Sequence, residues 1–270
     1  MGIALGVVSA SGAWALDAAI EKSQPALLKT EVARVAPQRK GITDIFTLGV
    51  AGWSDQDVFL KELDGALGSV AQALPVKGRV ARLVNNPKTT RRVPLATPRN
   101  IGAAIDAVAS RMDKEDDVLI LFMTSHGLMS GLALKLPGGD NALIAPQDVA
   151  TALDRAGVKH RVVIVSACYS GVFVRSLAND NTIVVTAADS WNSSFGCAAG
   201  RDWTYFGDAF FKQSLQPGTD FKRAFDRARI LIEGWEKLDR LTPSNPQGHF
   251  GPALTAKLAP IFAAMPRPEQ

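Results

Sequence analysis

Short apolar runs alternate along this chain with longer stretches in which apolar residues recur every three or four positions. The short runs predict buried strands, and the periodic stretches predict amphipathic helices that each cover one face of a sheet. Parallel neighbouring strands need a crossover connection, which such helices supply. The alternation therefore indicates an α/β domain with a mainly parallel sheet. The predicted strands are residues 45–50, 80–84, 118–123, 162–165 and 183–186, and the predicted helices are residues 57–74, 98–112, 146–156 and 220–238.

The composition is that of a globular protein. Hydrophobic residues make up 47% of the 270 residues and charged residues 21%, which excludes disordered, collagenous and disulfide-stapled proteins. The formal net charge is +4, and the basic residues are scattered rather than gathered in a stripe. A nucleic-acid partner is therefore not expected.

The chain contains two cysteines, Cys168 and Cys197, and three histidines, His126, His160 and His249. Two cysteines cannot form a disulfide framework, and these residues lack the spacing of zinc ligands. No metal site is therefore expected, and no cofactor is predicted. Free cysteines are most often buried packing residues, which is the expectation for Cys197. His160 is expected to lie in a loop, and His249 to make a hydrogen bond near the end of the domain.

The first residues, 1–20, are predicted to form a signal-like or membrane-proximal segment. Residues 1–16 contain no charge, and residues 13–15 have the A-x-A form of a signal-peptidase site, although no Lys or Arg precedes the apolar run. We therefore expect export, with a periplasmic or cell-envelope location and membrane association through the N-terminus. The alternative is a buried or frayed N-terminal helix.

The rest of the chain divides into three parts. Residues 21–41 are polar and interrupted by prolines, so they are expected to form a linker or a pro-segment. The folded domain is predicted at residues 42–262, followed by a tail at residues 263–270.

Two reactive side chains follow buried strands. His126 comes after the predicted strand 118–123, and Cys168 comes after the predicted strand 162–165. If these strands are parallel neighbours, both residues emerge at the carboxyl edge of the sheet, where ligands bind in open parallel sheets. An imidazole beside a thiol can accept its proton or stabilise the thiolate, and can then protonate a leaving amine. The pattern therefore predicts a Cys/His dyad for acyl transfer.

Acyl transfer also needs hydrogen-bond donors for the oxyanion. The backbone N–H groups of Gly127 and of the turn at Cys168 are candidates, because small residues surround them. Each reactive residue also has a structural alternative: Cys168 as a small buried packing residue and His126 as a hydrogen-bonded loop residue. Their joint position at strand ends, each with a glycine within three positions, favours catalysis.

Four motifs resemble those of the legumain family of cysteine peptidases, peptidase C13, which are relatives of the caspases. They are Thr124-Ser125-His126-Gly127, Ser166-Ala167-Cys168-Tyr169-Ser170-Gly171, the segment 187–197 and Thr204-Tyr205-Phe206-Gly207-Asp208. The resemblance spans residues 42–255, and its end is similar to bacterial members, which are often exported or membrane-attached. It implies a caspase-like three-layer sandwich, in which helices flank a mainly parallel central sheet. It also implies that His126 is the acid or base, that Cys168 is the nucleophile, and that the backbone amides of Gly127 and Cys168 form the oxyanion hole.

The resemblance also implies a pocket for the residue before the cleaved bond. Ser194 and Asp208 match pocket residues of the family, whereas Ser166 stands where the family has an acidic residue, and no arginine follows the first strand. A preference for asparagine is therefore not implied. If Asp208 lines the pocket without a compensating arginine, its carboxylate favours a basic substrate side chain.

The leading prediction is a cysteine endopeptidase that hydrolyses peptide bonds through a thioester intermediate, with a peptide or protein as substrate. One alternative is a transamidase, or peptide ligase, that uses the same dyad but resolves the thioester with an amine. The other is a catalytically idle caspase-like module that binds peptides. The natural substrate and the oligomeric state do not follow from these residues.

Overall fold

The structure is a computed structural model that describes residues 18–266. The strands are β1 (Ile45–Ala51), β2 (Val80–Val84), β3 (Val118–Thr124), β4 (Gly127–Leu128), β5 (Gly131–Lys135), β6 (Asn141–Ile144), β7 (His160–Ser166), β8 (Thr182–Thr186) and β9 (Gln247–Phe250). The helices are α1 (Ala18–Ala33), α2 (Asp57–Ala73), α3 (Pro98–Ala109), α4 (Pro146–Arg155), α5 (Val172–Leu177), α6 (Tyr205–Gly207), α7 (Phe221–Leu238) and α8 (Pro252–Ala264). A π-helical segment, Asp208–Ser214, continues directly from α6.

Six strands form the central sheet in the order β2-β1-β3-β7-β8-β9. Neighbouring strands are parallel except for the edge pair β8 and β9, which is antiparallel. The small strands β4, β5 and β6 form a separate antiparallel sheet. The prediction of a mainly parallel sheet is therefore confirmed, and the predicted strands and helices are present with ends that shift by at most three residues.

The central strands are apolar on both sides because helices cover both faces of the sheet. Along β3, Val118, Ile120 and Phe122 face a core formed with α2, the π-helical segment, α7 and α8. The alternate residues of β3 face a second core, formed with α3, α4 and α5. Two cores on either side of one sheet make a three-layer sandwich, as the sequence predicts.

The register of β3 and β7 places their carboxyl ends side by side. Val118 pairs with His160 at the start of the two strands, and Thr124 pairs with Ser166 at the end. The residues that follow these two strands therefore leave the sheet at the same place. This is the edge where the sequence predicts the site.

The segment predicted as a linker or a pro-segment, residues 21–41, contains most of helix α1. This helix spans residues 18–33 and packs against α3 and β2. Besides the packing of Leu28 on the second core, α1 makes polar contacts: Gln24 accepts a hydrogen bond from the backbone N–H of Leu95 at 2.7 Å, and Glu31 accepts one from that of Arg82 at 3.0 Å. A helix held by polar contacts shows no apolar stripe, which is why periodicity does not reveal it.

The N-terminal prediction falls almost entirely on residues 1–17, which lie outside the described part of the chain, as do residues 267–270 of the predicted tail. Among residues 18–266, no helix is both long enough and apolar enough to cross a bilayer.

Candidate active site

The chain segments after β3 and β7 lie in direct contact. The backbone N–H of Ser125 donates to the carbonyl oxygen of Ser166 at 3.2 Å. A Cβ atom added to Gly127 would lie only 1.9 Å from the carbonyl oxygen of Cys168, so only glycine allows this approach. Strands β3 and β7 are thus parallel neighbours, as predicted. The turn that follows His126 contacts the turn that contains Cys168.

The His126 side chain is held by one hydrogen bond and two aromatic rings. Its Nε2 atom lies 2.5 Å from Oε1 of Gln56. Its ring meets Trp53 edge-on at 4.8 Å between centroids, and Phe59 at 5.2 Å. Burial lowers the pKa of His126 below its usual 6.5, so the imidazole is largely neutral at neutral pH.

Gln56 determines which nitrogen of His126 bears the proton. The amide Nε2 of Gln56 donates to the carbonyl oxygen of Cys197 at 2.8 Å, which leaves Oε1 as the acceptor facing His126. Nε2 of the neutral imidazole is then the donor, and Nδ1 has the free lone pair of a base. Gln56 was not among the predicted site residues. Its position just after β1, at the carboxyl edge of the sheet, is the signal that could have found it.

The Cys168 thiol lies in a partly exposed turn and contacts Ser194. The backbone N–H of Ser194 donates to the Cys168 sulfur at 3.3 Å, and the Ser194 hydroxyl lies 3.9 Å from the same sulfur. The turn itself is tight, since Tyr169 has a positive φ of 56°. The Tyr169 N–H donates to the carbonyl oxygen of Asn192 at 2.9 Å, which ties the turn to the loop that contains Ser194.

Asp189 organises that loop. Its carboxylate accepts hydrogen bonds from the backbone N–H groups of Trp191 and Asn192, both at 2.8 Å, and from the side-chain amides of Asn192 and Asn245. Short polar residues that bond their own following backbone are typical of turns. Asp189 was not predicted as a site residue, although the sequence Asp-x-x-Asn after a strand is a turn signal.

Ser166 is buried beneath the site rather than open to it. It is 1% exposed, and its hydroxyl donates to Oε1 of Glu62 at 3.0 Å and contacts the Thr204 hydroxyl at 3.1 Å. Glu62 is fully buried, and burial raises its pKa to about 7. Glu62 was also missed, although an acidic residue on the apolar face of a predicted helix is a visible anomaly.

Asp208 is paired within its own helical segment. Its carboxylate accepts a hydrogen bond from Gln213 Nε2 at 2.9 Å and lies 3.6 Å from Lys212 Nζ. A cation therefore lies beside this carboxylate in a partly exposed ion pair. The preference for basic substrate residues stays a prediction.

The remaining candidates occupy structural positions. Cys197 is half-buried against the core, and burial raises the pKa of its thiol. His160 begins β7 rather than lying in a loop, and its Nε2 lies 3.1 Å from the Glu115 carbonyl oxygen. His249 belongs to β9, and its Nε2 lies 3.0 Å from the Asn179 carbonyl oxygen.

The fold is that of the caspases. The structure is similar to the crystal structure of caspase-1 from Spodoptera frugiperda, with a TM-score of 0.54 and 14% sequence identity over 81% of this chain and 94% of that chain. At this identity the similarity establishes the three-layer architecture and no more. The comparison with curated proteins found no match.

Within that class, the sequence defines the family. The model of the Peptidase C13 family matches residues 99–248, which is more than half of the chain. The chain therefore belongs to the peptidase C13 family, as its motifs indicated. Family and fold together support a function of the cysteine-peptidase type. The matched range includes His126 and Cys168 but not Gln56 or Glu62.

Proposed function

We propose that this protein is a cysteine endopeptidase in which Cys168 is the nucleophile and His126 is the general base and acid. The observation that carries the proposal is the contact between Gly127 and the Cys168 carbonyl at the ends of two parallel strands. That contact joins the turn that follows His126 to the turn that contains Cys168, and it supports a dyad formed by these two residues.

The acylation step begins with transfer of the Cys168 thiol proton to Nδ1 of His126. The sulfur then attacks the peptide carbonyl carbon, and a C–S bond forms as the carbonyl π electrons move to oxygen. The backbone N–H groups of Gly127 and Cys168 are the proposed donors to this oxyanion. Collapse breaks the C–N bond, and the imidazolium gives its proton to the leaving amine. The product is a thioester on Cys168.

Water completes the reaction. His126 takes a proton from the water molecule, and the resulting oxygen nucleophile attacks the thioester. The C–S bond then breaks, the imidazolium returns its proton to the departing sulfur, and the products are a carboxylic acid and the free thiol. The base must be unprotonated at the start of both steps. Burial of His126, which lowers its pKa, supports this role at neutral pH.

The test uses an electrophilic peptide probe together with a peptide-library cleavage assay. Cys168→Ala and His126→Ala should each reduce turnover by about 1,000-fold or more, because dyad members act as a unit, and Cys168→Ala should abolish labelling. His249→Ala, on the edge strand β9, is the control that should keep both activities. Undiminished labelling of Cys168→Ala would contradict the proposal.

The same assay separates the other activities. A wild-type chain that neither cleaves nor takes up the probe would indicate a peptide-binding module. Products joined to an added amine, in place of free acids, would indicate a transamidase.

A further inference from the structure

One buried acid in the middle of the sandwich has no cationic partner. Glu62 lies on α2 and is 0% exposed, and among the described residues 18–266 no Lys, Arg or His pairs with it. Its oxygens accept hydrogen bonds from three hydroxyls: Thr124 at 2.5 Å, Thr204 at 2.6 Å and Ser166 at 3.0 Å. A Cβ atom added to Gly207 would lie 1.9 Å from Glu62 Oε1, so the carboxyl occupies space that only glycine leaves open.

Stability alone does not explain this carboxyl. Removing a carboxylate from water costs several kcal/mol, and well-packed apolar side chains at such positions are often equally or more stabilising. The neighbours of Glu62 on α2, Phe59 and Leu63, are fully buried apolar residues. A polar network in such a core costs stability but specifies one arrangement of the groups it joins.

The three hydroxyls belong to the three segments of the candidate site. Thr124 is the last residue of β3, two positions before His126, and Ser166 is the last residue of β7, two positions before Cys168. Thr204 caps the start of α6 and ends the loop that contains Ser194, whose backbone contacts the Cys168 sulfur. Glu62 is therefore the common acceptor for the anchor points of all three segments.

We propose that Glu62 is a positioning residue that fixes His126 and Cys168 relative to each other through the ends of the strands that bear them. This inference rests on the proposed dyad, and it adds a residue from α2 that touches neither substrate nor the reacting atoms. Reacting groups displaced by about 1 Å can lose about 100-fold in rate, so a network that holds two strand ends and a loop can affect catalysis strongly.

The protonation state of Glu62 changes what the network can do. A carboxylate accepts hydrogen bonds from all three hydroxyls, whereas a protonated carboxyl must donate one, which forces one hydroxyl to reverse. The groups that face it are the hydroxyls of β3, β7 and the α6 cap. Its titratable neighbour is the Cys197 thiol, whose pKa is raised mainly by burial. Burial places this change near pH 7, above the lowered pKa of His126.

The experiment compares the full-length wild type with Glu62→Gln, which keeps the side-chain volume. Glu31→Gln is the matched control, because Glu31 is a buried glutamate that accepts a backbone N–H at β2, far along the sheet from the site. We expect Glu62→Gln to lower kcat by about 10- to 100-fold with KM changed by less than about 3-fold. Its pH–rate profile should lose a step near pH 7 that the wild type and Glu31→Gln both show. Wild-type rates and an unchanged profile in Glu62→Gln would overturn the inference.

A second readout does not need turnover. Alkylation of Cys168 by iodoacetamide, followed peptide by peptide across pH 5–9, reports the thiolate fraction and hence the pairing with His126. We expect the midpoint to shift in Glu62→Gln and to stay in place in Glu31→Gln. If the wild type cleaves no peptide, the proposed function fails, and an unchanged alkylation midpoint in Glu62→Gln separately refutes the inference.

A third variant covers the case in which Glu62→Gln does not fold. Thr124→Val is isosteric and removes one of the three hydroxyls, the one on the strand of His126. It should show the same kcat loss and alkylation shift at smaller amplitude, about 3- to 10-fold in kcat for one hydrogen bond. No change in either quantity would refute the positioning role.

Discussion

At the scale of single residues, the orientation of His126 depends on a side chain from a different element. Gln56 is fixed from one side by the Cys197 carbonyl and presents its oxygen to His126 Nε2 from the other. The rings of Trp53 and Phe59 restrict the His126 imidazole by packing against it and form no hydrogen bond with it. Gln56 is therefore the hydrogen-bonding group that selects the tautomer with a basic Nδ1.

This arrangement predicts a different kinetic effect for each of two substitutions of Gln56. Gln56→Ala removes the acceptor and should lower kcat/KM by about 10-fold, the value of roughly 1.4 kcal/mol for one hydrogen bond near a reacting group. Gln56→Glu keeps an acceptor but adds a negative charge, which raises the pKa of His126. The acid limb of its pH–rate profile should therefore move to higher pH. Profiles that coincide for Gln56→Glu and the wild type would contradict the assigned role.

At the scale of elements, α1 shows how a polar helix can belong to the core. Gln24 is 7% exposed, and its side-chain oxygen satisfies the N–H of Leu95 just before α3. The helix thus packs against α3 and the edge strand β2, although its apolar surface is small.

This contact makes α1 a contributor to the stability of the whole domain. Gln24→Ala should lower the free energy of unfolding by about 1 to 3 kcal/mol, since it leaves the buried Leu95 N–H without an acceptor. Lys22→Ala, on the exposed side of the same helix, is the control and should change the free energy by less than about 0.5 kcal/mol. Urea unfolding curves measure both. Equal midpoints for the two variants would mean that the Gln24 hydrogen bond to Leu95 does not stabilise the domain.

At the scale of the whole molecule, the buried Glu62 makes folding stability depend on pH. Its carboxyl has a pKa of about 7 in the folded protein, raised by burial from 4.5. The folded state therefore holds its proton more tightly than the unfolded state. The contribution of Glu62 is fully favourable below pH 4.5 and is lost as pH rises through about 7.

Comparison of the wild type with Glu62→Gln isolates this contribution, because the other titrating groups are common to both proteins. Between pH 5 and pH 8, the free energy of unfolding of the variant should rise by about 2 to 3 kcal/mol relative to that of the wild type. Denaturant titrations at both pH values give this difference. A difference that stays constant with pH would show that Glu62 titrates normally in the folded protein.

Much of the architecture could be predicted from local pattern. The runs around β3 and β7 are too apolar for any place but a sheet covered on both faces, and the histidine and cysteine that follow them mark the candidate site. The predictions for α2 and α3 begin at the correct residues and end within three residues of the observed helix ends. By contrast, α1 is held by polar contacts and β9 is a four-residue edge strand, and neither leaves a periodic apolar signal.

The sequence by itself determined the sheet, its flanking helices and the two residues at adjoining strand ends. The reason is that burial on one face imposes an apolar period on a helix, and burial on both faces imposes a continuous apolar run on a strand. Only the tertiary structure decided that Ser166 faces inward and that Gln56 and Glu62 contact residues of the candidate site. These contacts join side chains 62 to 142 residues apart in sequence across packed layers. No local pattern encodes such meetings, since hydrogen-bond partners are chosen by position in space.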